Sequence, residues 1–267
     1  MLIEYYQSKT ELLLKNYVSA DPFLVYTSVV IGIIGCKMVY DLSQLFSVYF
    51  FKSYLDLTNS RQIEWSNRAI STFHAVYITS MSIYFILWSD LYSDNLDRGP
   101  ITLRSSILST STLGVSVGYF LSDIGMIIWC YPSLGGIEYI FHHVLSLVGV
   151  TYTMLTGEAQ IYTYMVLVSE ATTPSINLRW YLDAAGMKRS RAYIINGVVM
   201  FFAWLVARIL LFVYLFYHAY VYYDQVKKMH GFGILLTLVV PALLSVMNSI
   251  WFWKIVKGLK KTITKRD

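Results

Sequence analysis

Seven stretches of predominantly apolar residues, each roughly 20 residues or longer, set the terms on which this chain folds. They run over 23–42, 70–90, 105–130, 137–155, 159–178, 192–217 and 232–255. A hydrocarbon core of about 30 Å is crossed by roughly 20 helical residues, and every backbone N–H and C=O inside it must find a partner within the protein. Composition agrees: 56% of the 267 residues are hydrophobic, 14% are charged and mean hydropathy is +0.52. A soluble domain carries roughly 25% charged residues. The expected fold is therefore an all-α membrane protein of about seven transmembrane helices in one compact bundle.

Cation placement sets a direction. Lys52, Arg61 and Arg68 fall in the loop predicted at 43–69, with Lys37 nearby. Arg179, Lys188, Arg189 and Arg191 fall in that at 179–191. Lys257, Lys260, Lys261, Lys265 and Arg266 follow the last span, with Lys254 near its end. The other side holds Lys9, Lys15, Arg98, Arg104, Lys227 and Lys228. Lys- and Arg-rich short loops stay cytosolic. The C-terminus is thus expected in the cytosol and the N-terminus on the lumenal or outer side. A net charge of +5 and a pI near 9.0 follow from this topology and give no nucleic-acid signal. The cluster at 257–266 reads as an anchor for anionic lipid.

Ionisable groups inside a bilayer cost at least about 2.5 kcal/mol each and need a reason. Those within the spans are His74, Asp123, Glu138, His142, His143, Glu170 and Arg208, with Asn177 and Asn248 as polar neutrals. At 1.5 Å rise per residue, Asp123 and Glu170 lie about 12 Å from the cytosolic ends of their spans, Asn248 about 11 Å, His142 and His143 about 8–9 Å and His74 about 6 Å. Five helices running in both directions thus contribute to one layer. His142, His143, Asp123 and Glu170 are the candidate catalytic group. His74, Glu138, Thr173, Asn177 and Asn248 are candidates for contact with bound substrate.

Spacing refines the list. Glu138 and His142 stand at i,i+4, which would let the carboxylate orient one imidazole. His142 and His143 diverge by about 100°, so each needs its own partner helix. Glu170, Thr173 and Asn177 form one stripe. Pro174 cannot donate to residue 170, which leaves the Glu170 carbonyl free beside a kink. A lone intramembrane histidine or asparagine is ordinarily interhelical glue, and His74 and Asn248 are read that way first. Arg208 is placed deep on the lumenal side, apart from the layer, pairing with a carbonyl or a lipid headgroup. A zinc set of His74, His142 and Asp123 is disfavoured because adjacent histidines diverge, so no metal is expected. Dinucleotide-binding, Walker and HExxH motifs are missing from the sequence.

Four ordered landmarks add a resemblance. Trp65-Ser-Asn-Arg-Ala-Ile-Ser-Thr-Phe-His74, Gly118-Tyr-Phe-Leu-Ser-Asp123, Glu138-Tyr-Ile-Phe-His-His143 and Ser169-Glu-Ala-Thr-Thr-Pro-Ser-Ile-Asn-Leu-Arg-Trp180 resemble the TLC domain, shared by ceramide synthases, translocon-associated TRAM proteins and smaller relatives. The likeness covers roughly 60–260, leaving 1–59 as a segment with the first helix and 261–267 as a basic cytosolic tail. It implies six helices in a barrel-like bundle, an endoplasmic-reticulum membrane and a role in lipid homeostasis, with membrane lipids as partners and no cofactor. His142 and His143 match the paired histidines that carry acyl transfer from acyl-CoA in the synthases, which makes long-chain acyl-CoA a candidate substrate and acyl transfer an alternative function. The synthases continue with His-Asp and two further carboxylates, where this chain has Ser169, Glu170, Thr173 and Asn177. One carboxylate is kept as Glu and two are neutral. Lipid transport or cargo sorting is a third reading, though no inverted repeat supports it.

Overall fold

A computed structural model describes residues 20–93 and 99–264. Lys9, Lys15, Arg98, Lys265 and Arg266, which enter the charge count, lie outside the described residues, as do the start of the 1–59 segment and the end of the basic tail. Within the described residues the chain is helical without a strand. We label the longer helices α1 (Pro22–Phe50), α2 (Asn59–Ile83), α3 (Ile107–Trp129), α4 (Ile137–Thr156), α5 (Gln160–Leu167), α6 (Thr173–Ala184), α7 (Arg191–Trp204), α8 (Leu211–Val221) and α9 (Gly231–Thr264).

The helix ends follow local chemistry. Asp21 accepts a hydrogen bond from Phe23 N (2.9 Å) and Pro22 opens α1. Ser106 and Ser109 close a reciprocal cap on α3. Gly157, at φ +75°, ends α4 in the left-handed conformation glycine adopts most readily. Ser190 Oγ accepts from Tyr193 N (3.1 Å) at the head of α7.

Five helical runs are long and apolar enough to cross a membrane: Pro22–Phe50, Asn59–Trp88, Ile107–Trp129, Arg191–Val221 and Gly231–Lys260. The protein is thus an all-α, multi-pass membrane protein. The other two predicted spans differ in kind. Helix α4 carries Glu138, His142 and His143, which lower its apolarity. The stretch predicted at 159–178 is split into α5, a 3-10 turn at Val168–Thr172 and α6. Pro174 cannot continue an α-helical ladder with residue 170, and the chain tightens there. The Glu170 carbonyl is not left free as expected, since the Thr173 N–H donates to it.

Two predicted loops are largely helix. Helix α2 starts at Asn59, well before residue 70, because Trp65, Ser66, Asn67 and Ile70 are buried on its inner side. Helix α6 runs on to Ala184 and carries Arg179 with it. The second and sixth spans each contain a π-helical stretch, at Tyr84–Trp88 and Leu205–Leu210. Such wider turns redirect side chains and recur at functional sites.

The core lies around α5, whose Gln160, Ile161, Tyr162, Tyr164, Met165 and Leu167 are all buried. Tyr164 Oη donates to Ser109 O at 2.6 Å, which ties α5 to α3. Helix α1 is mostly exposed and meets α3 along a seam of small residues. A Cβ on Gly118 would meet Gly32 Cα at 2.9 Å and the Val29 carbonyl oxygen, and one on Gly114 would strike Ser28 Oγ. Close backbone approach through small residues is a standard packing device between membrane helices. Gly118→Val is expected to force α1 off α3 at a cost of about 1–3 kcal/mol. Thermal unfolding in detergent checks it against Leu121→Val on the exposed face of the same helix, and equal midpoints for the two variants would sink this account of the seam.

Candidate functional site

A polar chamber of about 470 Å³ opens between α2, α3, α4, α6, α7 and α9. Asp123, His142, His143, Glu170, Thr173, Asn177 and Arg208 all line it. The order of its groups follows from which helix faces which. On α3, Asp123 is buried and turned toward α2 and α4. Its Oδ1 accepts from Asn67 Nδ2 at 3.0 Å, and its Oδ2 lies 2.9 Å from His143 Nδ1. The angle at this 2.9 Å contact falls outside hydrogen-bond geometry, and a carboxylate so close favours the tautomer with the proton on Nδ1, which leaves Nε2 as an acceptor. Asn67, Asp123 and His143 thus form a relay that crosses three helices.

His142 takes the other direction, as its position next to His143 requires. Its ring meets Trp251 of α9 edge-on at 5.3 Å between centroids, and Nδ1 finds no hydrogen-bond partner among the described residues. The expected pairing with Glu138 is absent there. Glu138 is exposed at the head of α4, its carboxylate lying back over Gly136, so it does not orient His142. An i,i+4 spacing brings two residues near only where both side chains point along the helix.

The opposite wall centres on Glu170. Its Oε2 accepts from Thr173 Oγ1 at 2.8 Å and its Oε1 lies 3.4 Å from Arg208 Nη2. Arg208 also donates from Nε to Thr172 Oγ1 (2.8 Å) and from Nη1 to Asn248 Oδ1 (3.1 Å). Arg208 therefore sits inside the polar layer, not on the lumenal side of it. Residue 208 lies mid-way along the run from Arg191 to Val221, within its π-helical stretch, and turns inward where Glu170 neutralises it. Asn248 is accounted for twice, since its carbonyl accepts from Trp204 Nε1 at 3.1 Å.

Two of the candidate residues serve packing. Asn177 Nδ2 donates to Arg68 O, Ser71 Oγ and Thr72 Oγ1, and its Oδ1 accepts from Arg68 Nη1, which knots α6 to α2. His74 does not line the chamber. It is buried between α2 and α3, stacked on Tyr119 at 3.8 Å, with Nε2 3.2 Å from Ser116 Oγ. No group of three or more His, Cys, Asp or Glu side chains converges on a metal-sized site among the described residues.

Beside the chamber lies a narrow apolar slot of about 50 Å³ walled by Val150, Val166, Phe212, Leu236, Val240 and Leu244. His142 and Glu170 line both spaces. The slot extends from His142 to Tyr152, about 15 Å along α4 at the helical rise. Its far end is tied by Tyr152 Oη donating to Glu158 Oε2 (2.6 Å), with His230 Nδ1 2.7 Å from Glu158 Oε1. Asn67, Arg68 and Trp251 are site residues that sequence reading missed. The available signal was the stripe Asn67, Ser71, His74 and Ile78 at helical spacing, which a helix starting before residue 67 would have exposed.

Comparison with known proteins bears on this geometry. A TLC-domain profile matches residues 64–257. TLC domain-containing protein 4-B of Xenopus laevis is 27% identical over 222 residues, 79% of this chain and 80% of that protein. TLC domain-containing protein 4 of Homo sapiens is 29% identical over 232 residues, 85% and 86% of the two chains. TLC domain-containing protein 4 A of Dictyostelium discoideum is 24% identical over 258 residues, 94% of each. The matched span takes in the chamber and the slot together.

Proposed function

The chain belongs to the TLC-domain family, and from that premise we propose that it acts in membrane lipid homeostasis by taking a lipid into its bundle, polar end in the chamber and acyl chain in the slot. The observation that carries this reading is the shared wall. His142 and Glu170 face a polar space on one side and an apolar one on the other, which is the division an amphipathic molecule requires. Apolar lining rewards the chain, at about 25 cal/mol for each Å² removed from water. The reading places the protein in the endoplasmic-reticulum membrane with its C-terminus in the cytosol, the latter supported by Lys254, Lys257, Lys260 and Lys261 toward the end of α9.

The experiment is purification in mild detergent followed by extraction and mass spectrometry of bound lipid. Val240→Trp fills the slot and is expected to lower bound lipid about tenfold, the effect of roughly 1.4 kcal/mol. His142→Ala opens the shared wall and should change which lipids are held. Wild-type lipid content in both variants, each still monodisperse, would defeat the proposal.

A second reading, acyl transfer, is favoured by the relay of Asn67, Asp123 and His143. A base oriented by a carboxylate that is itself held in place is the arrangement proton-transfer catalysis uses. In this reading an amine acceptor attacks the thioester carbonyl of a long-chain acyl-CoA. The C–N bond forms as the C–S bond breaks, and His143 Nε2 takes the amine proton and returns it to the leaving thiolate. Thr173 and Asn177 stand where the synthases carry carboxylates, and both are engaged in hydrogen bonds within the bundle.

A further inference from the structure

A groove of about 230 Å³ runs between α6, α7 and α9 at the end of the bundle that carries the basic residues. It shares Met200, Lys254 and Ile255 with the polar chamber, so Lys254 stands at the junction of the two. Arg179 lines the groove from the α6 side, and the lining contains two cations and no acid. Arg179 Cζ lies 3.9 Å from the centroid of the Tyr193 ring, and Nη1 donates to the Tyr193 carbonyl at 3.3 Å. Asp183 lies one turn further along α6 but is taken by Lys188 Nζ at 2.7 Å. Among the described residues no carboxylate pairs with Arg179 or Lys254.

An oriented guanidinium and an ammonium over a floor opened by Gly197 and Gly258 make a receptor for a tetrahedral oxyanion. We infer that this groove binds the phosphate of an anionic glycerophospholipid whose acyl chains enter the bundle. The inference rests on the lipid-binding reading and names its headgroup class. Arg179 supplies a planar fork, and Lys254 closes the site on the chamber side. Gly197 is part of the design, since a Cβ there would meet Arg179 Nη1 at 2.8 Å.

The test titrates the purified full chain with dioctanoyl phosphatidic acid, dioctanoyl glycerol of the same tails, and inorganic phosphate, read by native mass spectrometry. The wild type is expected to prefer the phosphatidic acid at least tenfold over the diacylglycerol. Arg179→Gln should bring that preference close to one while leaving diacylglycerol binding in place, and Lys254→Gln should lower it. Gly197→Ala keeps every charge yet displaces the guanidinium, and should lower the preference severalfold. A general attraction of a basic surface for anions would not respond to Gly197→Ala, so an unchanged preference in that variant counts against the site. Equal binding of the two lipids by wild type overturns the phosphate groove and leaves lipid binding standing. Binding of neither lipid overturns both readings, and inorganic phosphate bound alone marks the groove as a free-anion site and overturns its lipid occupant.

Discussion

Asp123→Asn is expected to keep the fold and the bound lipid while lowering acyl transfer by about 10²- to 10⁴-fold, the range that a positioned base contributes. The reason is the tautomer. Asp123 Oδ2 lies 2.9 Å from His143 Nδ1, so the carboxylate favours the ring proton on that nitrogen and Nε2 as the acceptor. An amide can offer an N–H to Nδ1, which moves the ring proton to Nε2 and removes the acceptor. The substitution is nearly isosteric, and Asn67 Nδ2, now 3.0 Å from Oδ1, still finds an oxygen. Asn67→Ala should cost less, about tenfold, because it loosens the carboxylate without removing it. The assay supplies labelled long-chain acyl-CoA with sphingoid-amine and lysophospholipid acceptors and measures bound lipid alongside. Turnover in wild type that persists in Asp123→Asn excludes the relay. No turnover in wild type under any acceptor retires the transferase reading and leaves the lipid-binding one.

The sequence displayed the fold where the signal was local and continuous. The apolar runs at 23–42 and 232–255 each fall within a single described helix, and that at 105–130 overshoots Ile107–Trp129 by two residues at one end and one at the other, because apolar length is all that a crossing helix needs. It was less legible where tertiary contacts decide. Residues 59–69 look like a loop by composition, yet the burial of Trp65, Ser66 and Asn67 against the bundle carries the helix through them. Asn67 was lost with them, although its hydrogen bond holds Asp123. Glu138 misled for the complementary reason, since helical spacing was real but the carboxylate lies outside, over Gly136. Asp123, His142, His143 and Glu170, set at similar depths by helical rise, line one chamber from separate elements, while His74, counted into the same layer, does not. Arg208 escaped that count. The structure extends its span to Val221 and widens it to a π-helical turn around residue 208, so depth counted along a shorter regular helix was misplaced. The seam of Gly32, Gly114 and Gly118 was legible only as small residues, since their use depends on which helix comes close.

Breaking the Arg208–Glu170 pair is expected to have the largest effect on stability. Arg208 is buried and Glu170 nearly so, at 5% and 14% side-chain exposure, and the nearest approach is 3.4 Å. Taking an arginine out of water costs several kcal/mol, offset here by Glu170, Thr172, Asn248 and the Trp204 ring at 4.6 Å. Glu170→Met leaves the guanidinium charge uncompensated, and Arg208→Met leaves the carboxylate so, each at about 3–5 kcal/mol. The double variant Arg208→Met with Glu170→Met removes both charges together and should recover much of that loss, because replacing a buried pair by apolar groups is often close to neutral. The measurement is the unfolding midpoint of all four proteins in the same detergent. Strict additivity of the two single losses would mean that the charges do not compensate one another, and the chamber would then need another source of its electrical balance. Recovery of stability without recovery of bound lipid would separate two roles for the pair. It would place Glu170 and Arg208 among the groups that hold the polar end of the lipid, on the same wall where the chamber meets the slot.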